Sequence, residues 1–497
     1  MKKASKYWII SLLLGLILWL GLPSPSYADN QPINSTAKII HVLNRLSFGP
    51  APGDIERVKS MGVETYIQSQ LKPETLQESP KLTKDMAQLT SLDLTPTELY
   101  KKYGPPPIKK GEKFTLQQRR ATNQRIRKVL RESKDAHLLQ ALFSNRQLQE
   151  VMVDFWFNHF NISVDKGNLT RLWVGTYERD AIRPYALGNF RNLLGATAHH
   201  PAMLFYLDNW LNTAPGSKGS RGRFKGINEN YARELMELHT LGVDGGYKQQ
   251  DIITLAKIFT GWGIVRRNGD GSGFQFDLNR HDNTDKIFLG VPIKGGGIEE
   301  GEKALDILAN HPSTARYVSY KLAQYFVADN PPGSLVNRLA KSFQETNGNI
   351  RLVLAALFDS PEFWDTKYYN SKFKNPYQYI ISTARATGTN NPNLGRIQAM
   401  LNQLGMPLYF CKTPDGYKNT KEAWLNPDAI IRRVSFATPI SRGQLSTDKS
   451  QNNSVNPAQL SATLGNILSP QSKTVVNNSP ENLQAALILG SPEMMQK

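Results

Sequence analysis

Cysteine is almost absent from this chain, which has one among its 497 residues. A single thiol, Cys411, cannot form an intrachain disulfide, so the fold must be stabilised by its packed core. We expect Cys411 to be a small buried apolar residue, because free cysteines usually are. A reactive thiol is the alternative.

Long apolar runs are missing after residue 28, and no later stretch is long and apolar enough to span a bilayer. The first 28 residues differ. Three lysines precede an apolar run over 8–22, and Ser26 and Ala28 are small residues at the −3 and −1 positions of a cleavage site. This pattern predicts a signal peptide at 1–28 and an exported protein that is periplasmic, on the cell surface or extracellular. An uncleaved anchor is the alternative.

The common signatures of catalysis are also absent. We find no paired-cysteine metal motif, P-loop, dinucleotide fingerprint, His-Glu-x-x-His or Gly-x-Ser-x-Gly. The formal net charge is +18, of which the three leader lysines contribute three, and much of the excess lies at 101–131 and 217–225. Without zinc-finger or aromatic RNA-binding signatures we expect no nucleic acid. The basic stretches indicate either solvated surface or a patch for an acidic polysaccharide.

Apolar residues recur at helical spacing through most of 36–403, which predicts an all-α, multi-helical globular protein. A glycine-rich stretch at 261–300 predicts a small β-ribbon insertion, and a proline- and lysine-rich stretch at 92–118 predicts a linker or long surface loop. The length predicts about two to three lobes. We place them at 29–90, 116–260 and 301–440 of a helical domain that covers 29–442. A polar, flexible segment at 443–480 and a C-terminal helix at 481–497 follow.

The segment 228–241 carries the most polar chemistry. It predicts a helix that Asn228 caps and Gly242 ends. One face of that helix collects Glu229, Asn230, Arg233, Glu234 and Glu237. This face is either an exposed ladder of i,i+4 ion pairs or a carboxylate cluster presented to a cleft. His239 lies on the opposite, apolar side, which argues against a metal motif on this helix alone.

Other polar residues interrupt apolar surroundings. The helix predicted at 147–161 is apolar almost all round, but a stripe contains Glu150, Asp154, Asn158 and Asn161. A polar stripe on a buried helix must meet polar partners or an internal site. A lone histidine among apolar neighbours, such as His159 on this helix, is more often a core residue than a ligand. His200 precedes Pro201 and is expected near a helix N-cap. His281-Asp282 is a candidate for metal or acid–base chemistry, with a simple turn as the alternative.

These segments resemble the bacterial family known as domain of unknown function 1800. The resemblance rests on 41–50 (HVLNRLSFGP), 155–160 (FWFNHF), 182–188 (IRPYALG), 200–204 (HPAML), 207–209 (LDN), 229–246 (ENYARELMELHTLGVDGG), 260–262 (TGW), 281–282 (HD) and 360–363 (SPEF). It implies a helical, exported protein with no established activity. It also implies a candidate partner, because members are commonly encoded beside a second exported family that resembles sulfatases and alkaline phosphatases.

Two functions remain open at this point. The first is a hydrolase-like enzyme that uses clustered carboxylates and histidines on extracellular polymer or anionic ester. Its hypothetical catalytic residues are Glu229, Arg233, Glu234, Glu237 and His200. Its hypothetical ligand-binding residues are Asn158, Arg183, Asp208, Asn209 and Asn230. Its hypothetical metal ligands are His159, His239, His281 and Asp282, with a divalent metal as candidate cofactor. The second is a non-catalytic envelope protein that binds acidic glycan or a protein partner, and polar networks with a purely structural role are the simplest alternative to both.

Overall fold

A computed structural model of the chain describes residues 35–109, 111–448 and 454–497, so the predicted signal peptide lies outside the described residues. Within the described ranges the chain forms 24 α-helices and two small antiparallel sheets of two strands each. This confirms the predicted all-α architecture with a small β insertion. No helix in these ranges combines the length and apolarity needed to cross a membrane.

The first half of the chain contains twelve α-helices. They are α1 (Ser35–Leu46), α2 (Asp54–Met61), α3 (Val63–Leu71), α4 (Pro80–Met86), α5 (Pro96–Tyr103), α6 (Leu116–Phe143), α7 (Gln147–His159), α8 (Asn168–Thr176), α9 (Phe190–His199), α10 (Pro201–Tyr206), α11 (Asn230–Glu234) and α12 (Gln249–Ile258). Two π-helical turns continue α8 and α11, at Tyr177–Ile182 and Leu235–Thr240.

The glycine-rich insertion contains the two sheets. Strands β1 (Trp262–Ile264) and β2 (Phe274–Phe276) pair with Trp262 opposite Phe276, and β3 (Lys286–Phe288) and β4 (Val291–Ile293) pair with Lys286 opposite Ile293. Trp262 is fully buried. A Cβ at Gly301 would lie 2.2 Å from its ring, so only glycine allows the following helix to pack here. The insertion is therefore anchored to the helical body.

Twelve further α-helices follow the insertion. They are α13 (Ile298–Asn310), α14 (Pro312–Phe326), α15 (Gly333–Glu345), α16 (Ile350–Phe358), α17 (Pro361–Trp364), α18 (Pro376–Ala386), α19 (Leu394–Gln403), α20 (Lys421–Trp424), α21 (Pro427–Ser441), α22 (Pro457–Thr463), α23 (Pro470–Asn477) and α24 (Glu481–Leu489).

Buried apolar side chains form one continuous core that extends from Ile39 to Met495. The most extensive helix contacts join α14 with α15, α6 with α8, and α21 with α24. Contacts also link α3 with α16 and α6 with α18, and so connect the regions for which the sequence predicts separate lobes. Cys411 lies buried in this body, as predicted.

Two segments expected to lack regular structure contain helices. Within 92–118, helix α5 begins with a capping box between Thr95 and Glu98 and buries Leu99 and Tyr103. Within 443–480, α22 and α23 begin where Asn456 and Ser469 cap a helix whose first residue is proline. Composition does not reveal where these helices begin, because Asn, Ser and Pro are typical of both loops and helix N-termini.

A group of buried cations lies where α1 and the α17–α18 region meet the end of the chain. Its members are Arg45, Lys372, Lys374, Arg433 and Lys497, each at most 5% exposed. Lys372 pairs with Asp329, while Lys374 donates to the carbonyl of Met494 at 3.0 Å. Burial, reinforced by the neighbouring Arg433, lowers the pKa of Lys374 to about 7. The buried surroundings of Lys374 therefore favour its neutral amine over its charged ammonium form.

Burying the charged form of Lys374 is unfavourable. We therefore expect the difference in unfolding free energy between Lys374→Met and the wild type to depend on pH. The lysine binds its proton more weakly in the folded chain than in the unfolded one, so the wild type gains stability as pH rises above about 7, by up to about 1.4 kcal/mol per pH unit. The methionine variant lacks this gain. In urea unfolding, the free energy of unfolding of the variant should therefore fall relative to that of the wild type as pH rises from 7 to 9. The exposed Lys341→Met is the control, and a pH-independent difference for Lys374→Met would contradict the interpretation.

Candidate functional site

The helix predicted at 228–241 is divided into α11 and the π-helical turn Leu235–Thr240. Asn228 caps its start as predicted, because Asn228 Oδ1 accepts the N–H of Asn230 at 3.0 Å. The Thr240 hydroxyl donates to the carbonyl of Leu235 at 2.7 Å within the wider turn. Hydrophobic periodicity does not reveal one extra residue in a turn, which is why the sequence indicates an uninterrupted α-helix here.

The acidic face of this segment is a partly exposed ladder of ion pairs. Arg233 donates to Glu229 at 3.2 Å and to Glu237 at 3.3 Å, and the three side chains are 37%, 35% and 25% exposed. Such pairs stabilise a helix by only about 0.2–0.5 kcal/mol each. Glu234 is the exception on this helix, because burial and the charge of Glu237 raise its pKa. The buried carboxylate cluster considered from the sequence is therefore not formed by Glu229, Arg233 and Glu237.

His159 and His239 lie side by side in the core. Their ring centroids are 6.2 Å apart, and His159 Nε2 lies 3.0 Å from the carbonyl oxygen of His239. Burial lowers the pKa of His159 to about 3 and that of His239 well below its usual value, so both rings are neutral. Over the described ranges, no group of three or more His, Cys, Asp or Glu side chains is placed to hold a metal ion.

His200 caps a helix. Its Nδ1 accepts the N–H of Ala202 at 3.2 Å at the start of α10, as the His-Pro sequence predicts. Its ring packs against Tyr177, with centroids 5.2 Å apart. Burial, with a contribution from Arg179, lowers the pKa of His200 to about 3. His311 caps α14 in the same way, so this geometry gives His200 a structural role and does not make it a ready base.

The polar residues between α10 and α11 connect segments of backbone. Asp208 adopts a left-handed conformation (φ 61°) and pairs with Lys166 at 2.7 Å. The Asn209 amide donates to the carbonyls of Phe259 and Trp262 at 3.3 and 3.2 Å. The Asn230 amide donates to the carbonyl of Leu207 at 3.1 Å. These contacts fix the insertion and α11 against α10.

His281 and Asp282 have separate roles. His281 Nδ1 lies 2.8 Å from the carbonyl of Thr260, and its Nε2 lies 2.9 Å from Glu300 Oε1. Lys286 donates to the other oxygen of Glu300 at 2.7 Å, which completes a buried Lys–Glu–His cluster. Asp282 instead accepts hydrogen bonds from the backbone and hydroxyl of Thr284. The turn considered as the alternative for Asp282 is therefore what the structure contains.

The polar stripe of α7 does meet polar partners. Its first residue, Glu150, accepts a hydrogen bond from Arg183 at 2.6 Å, and Arg183 also donates to Glu178 at 3.0 Å. Farther along the stripe, Asn158 exchanges two hydrogen bonds with the backbone of Tyr417, and Asn161 donates to the carbonyls of Cys411 and Thr413. Asp154 lies between these contacts and borders two neighbouring cavities.

Glu178 is the centre of a buried network that the sequence did not indicate. One of its oxygens accepts from Tyr409 at 2.7 Å and lies 2.7 Å from His137 Nδ1. Burial alone would raise its pKa, but His137 and Arg183 outweigh burial and hold it at about 2. Burial likewise opposes a charged His137, yet Glu178 raises the pKa of that imidazole. The network joins α6, α7, the first π-helical turn and the 406–420 segment.

A second feature is a cationic groove of about 730 Å³ between the 212–226 loop, β1 and β2, which we call the arginine groove. Its lining includes six cations, namely Lys218, Arg221, Arg223, Arg266, Arg267 and Arg280, and one acid, Asp277. Backbone hydrogen bonds from Gly219 to Asn279 and from Ala214 to Arg280 hold the loop against the strand region. The basic stretch 217–225 thus lines a concave surface.

Aromatic rings order the arginine groove. The guanidinium groups of Arg223 and Arg266 lie over Trp210, at 5.4 and 5.7 Å from the ring centroid. Arg267 lies 5.1 Å over Tyr100, and Arg280 lies 4.5 Å over Phe224. Guanidinium–aromatic stacking holds a flexible side chain without consuming its hydrogen-bond donors. Arg267 also donates to the carbonyl of Pro105, and Arg280 donates to the carbonyl of Trp210. The side chains of Arg223 and Arg266 form no hydrogen bond within the described ranges, so their donors are available to an anionic ligand.

Comparisons with known proteins add a family but no activity. The model of a family described as "protein of unknown function (DUF1800)" matches residues 41–496. No curated protein matches the chain. No solved structure matches it either.

We expect Glu178→Gln to lower the free energy of unfolding by about 3 kcal/mol or more, because it leaves Arg183 and His137 partly unpaired in a water-excluded site. The matched control is Glu237→Gln on the partly exposed ladder, for which the change should stay within about 0.5 kcal/mol. Urea unfolding of the two variants beside the wild type measures both changes. Equal, small effects would show that the Glu178 network does not stabilise the fold.

Proposed function

The chain belongs to the DUF1800 family of proteins of unknown function, and we propose that this member is an exported protein that binds an acidic polysaccharide in the arginine groove. The observation that carries the proposal is the charge of the groove, whose lining has six cations and one acid. A concave surface with one sign of charge attracts and concentrates ligands of the opposite sign.

Within the described ranges, the protein pairs one of the six cations of the groove with an acid. Asp277 pairs with Arg280, with 3.4 Å between the carboxylate and Nε. Among the described residues, no carboxylate forms an ion pair with the other five cations of the lining. Arginine donors that face a groove can bind carboxylate or sulfate groups through two parallel hydrogen bonds. Repeated anionic groups on one polymer would satisfy several of them at once.

The aromatic residues favour a sugar polymer as the source of those anions. Trp210, Tyr100 and Phe224 line the groove beside the arginines. Aromatic rings provide flat apolar surface, and Trp and Tyr add a polar tip that suits a partly hydrated ligand. The indole N–H of Trp210 is buried and has no hydrogen-bond partner among the described residues. A sugar residue offers both an apolar C–H face for the rings and hydroxyl oxygens for such donors.

The hydrolase hypothesis has weaker support. It needs the carboxylates and histidines to share a pocket, but His200 caps α10 and His281 is bound by Glu300. The ladder of Glu229, Arg233 and Glu237 is partly exposed and has no histidine partner within the described ranges. Asn158, His159 and Leu238 do line one cavity, yet His159 is neutral and bonded to backbone. Binding is therefore the function that the geometry favours.

We expect the triple variant Arg221→Gln, Arg223→Gln, Arg266→Gln to bind immobilised heparin and polygalacturonate at least about tenfold more weakly. Each lost charge-assisted contact is worth about 1 kcal/mol or more, and 1.4 kcal/mol is a factor of ten. The matched control is Arg119→Gln, Arg120→Gln, Arg127→Gln, which removes three exposed charges from α6 in the other basic stretch. Salt elution and titration calorimetry measure both.

The α6 triple variant shows whether binding depends on the arginine groove or on the net charge of the protein. If both triple variants lose affinity equally, binding depends on overall charge and the groove proposal fails. Tighter retention on single-stranded DNA than on either polysaccharide would assign the groove to a different class of polymer and would also contradict the proposal. Loss confined to the groove variant is the supporting result.

A further inference from the structure

A second cavity lies near the centre of the fold, between the C-terminal part of α7, helix α14 and the 406–420 segment. Its volume is about 230 Å³, and its walls include four tyrosines, Tyr317, Tyr320, Tyr325 and Tyr417. We call it the tyrosine cavity. Tyr320 is 37% exposed and Lys418 is 70% exposed, so the cavity opens to solvent at this side. Its lining differs from that of the arginine groove, and no residue is common to both.

The inner end of the tyrosine cavity adjoins a chamber of about 30 Å³, with Asp154, Asn158, Met406 and Tyr417 lining both. His137 and Tyr377 also line the chamber and are only 5% and 1% exposed. His137 Nε2 and the Tyr377 hydroxyl are buried and lack a hydrogen-bond partner among the described residues. Buried polar groups in folded proteins are almost always hydrogen-bonded, so these atoms require a partner at this position.

Asp154 also lines the inner chamber. Its carboxylate forms no ion pair within the described ranges, although the neighbouring Glu150 and Glu178 are both bound by Arg183. Burial raises the pKa of Asp154 to about 6, while His137 and Lys497 oppose the shift. Three polar residues from three different helices, α6, α7 and α18, thus line one chamber, and no hydrogen bond joins them within the described ranges.

The charges of the tyrosine cavity indicate an uncharged occupant. Its two carboxylates, Asp154 and Asp415, are balanced by Lys321 and Lys418, and Asp415 already pairs with Lys418 at 2.5 Å. A cationic ligand would compete with cations already over the rings. Lys321 Nζ lies 5.4 Å over Tyr317, and Lys497 Nζ lies 4.3 Å over Tyr325. A purely apolar ligand would leave the polar groups of the inner chamber unpaired, which is unfavourable.

We propose that the tyrosine cavity binds one neutral sugar residue, with its ring against the tyrosine walls and its hydroxyl groups toward Asp154 and the inner chamber. A cavity of this size is below the usual range for drug-sized ligands, which limits the occupant to about one ring. A hydroxyl group donates and accepts, so it can satisfy a carboxyl, an imidazole nitrogen and a phenol together. This site does not depend on the function proposed for the arginine groove.

Saturation-transfer NMR with the methyl glycosides of glucose, galactose and N-acetylglucosamine tests the proposal. We expect transfer to at least one glycoside in the wild type. Asp154→Leu should weaken that binding at least about tenfold, because it removes the hydrogen bonds of the side chain and leaves the polar groups of the chamber unpaired. Asp154→Asn, which retains a donor and an acceptor, should bind within about threefold of the wild type. Asp359→Leu, on an exposed acid, is the matched control.

A second variant keeps the test decisive if Asp154→Leu does not fold. Tyr320→Ala removes a partly exposed wall without touching the buried network, and we expect it to weaken glycoside binding and to leave thermal unfolding close to that of the wild type. The groove variant Arg221→Gln, Arg223→Gln, Arg266→Gln should retain glycoside binding. No transfer to any neutral glycoside in the wild type, unchanged binding in Tyr320→Ala, or binding of tetramethylammonium alone would each overturn the proposal.

Discussion

Arg183 forms the interaction that organises the centre of this protein. Its guanidinium reaches Glu150 on α7 and Glu178 on the π-helical turn after α8, and it also donates to Gln140 on α6 at 2.7 Å. Partnering two carboxylates allows a cation to remain charged inside the protein. Because these partners come from three segments, the contact fixes the relative positions of α6, α7 and α8. His137, Asp154 and the tyrosine cavity are positioned by this arrangement.

Charge is distributed unevenly between interior and surface. The interior around Glu178 contains opposite charges that are closely matched, whereas the arginine groove contains cations that the protein leaves unmatched. The groove is open to solvent, which screens the unpaired charges and so makes them tolerable. The same openness allows a ligand to reach them. The tyrosine cavity is intermediate, with two acids and two lysines around aromatic walls. The two sites therefore differ in charge, in line with the different ligands that we propose for them.

The histidines illustrate how burial decides the role of a side chain. Burial lowers the pKa of His41, His159 and His200 to about 3, and each accepts or donates one hydrogen bond to backbone. His137 is equally buried but lies beside Glu178, and its pKa moves in the opposite direction. The same residue type is thus a neutral packing element at His41, His159 and His200, whereas at His137 the protonated form is favoured. The neighbouring carboxylate, and not the burial itself, makes the difference.

The sequence by itself determined the helical architecture, the β insertion, the N-caps at Asn228 and His200 and the family, because helical periodicity, glycine-rich turns and capping residues act over a few positions. It also located the basic stretch 217–225 and the polar stripe on α7. Tertiary structure alone decided that Glu229, Arg233 and Glu237 form a partly exposed ladder and that His281 contacts Glu300. It also decided that His137, Asp154 and Tyr377 converge although they are far apart along the chain. Such contacts depend on how helices pack against one another, and a local pattern carries no record of which partner will lie opposite.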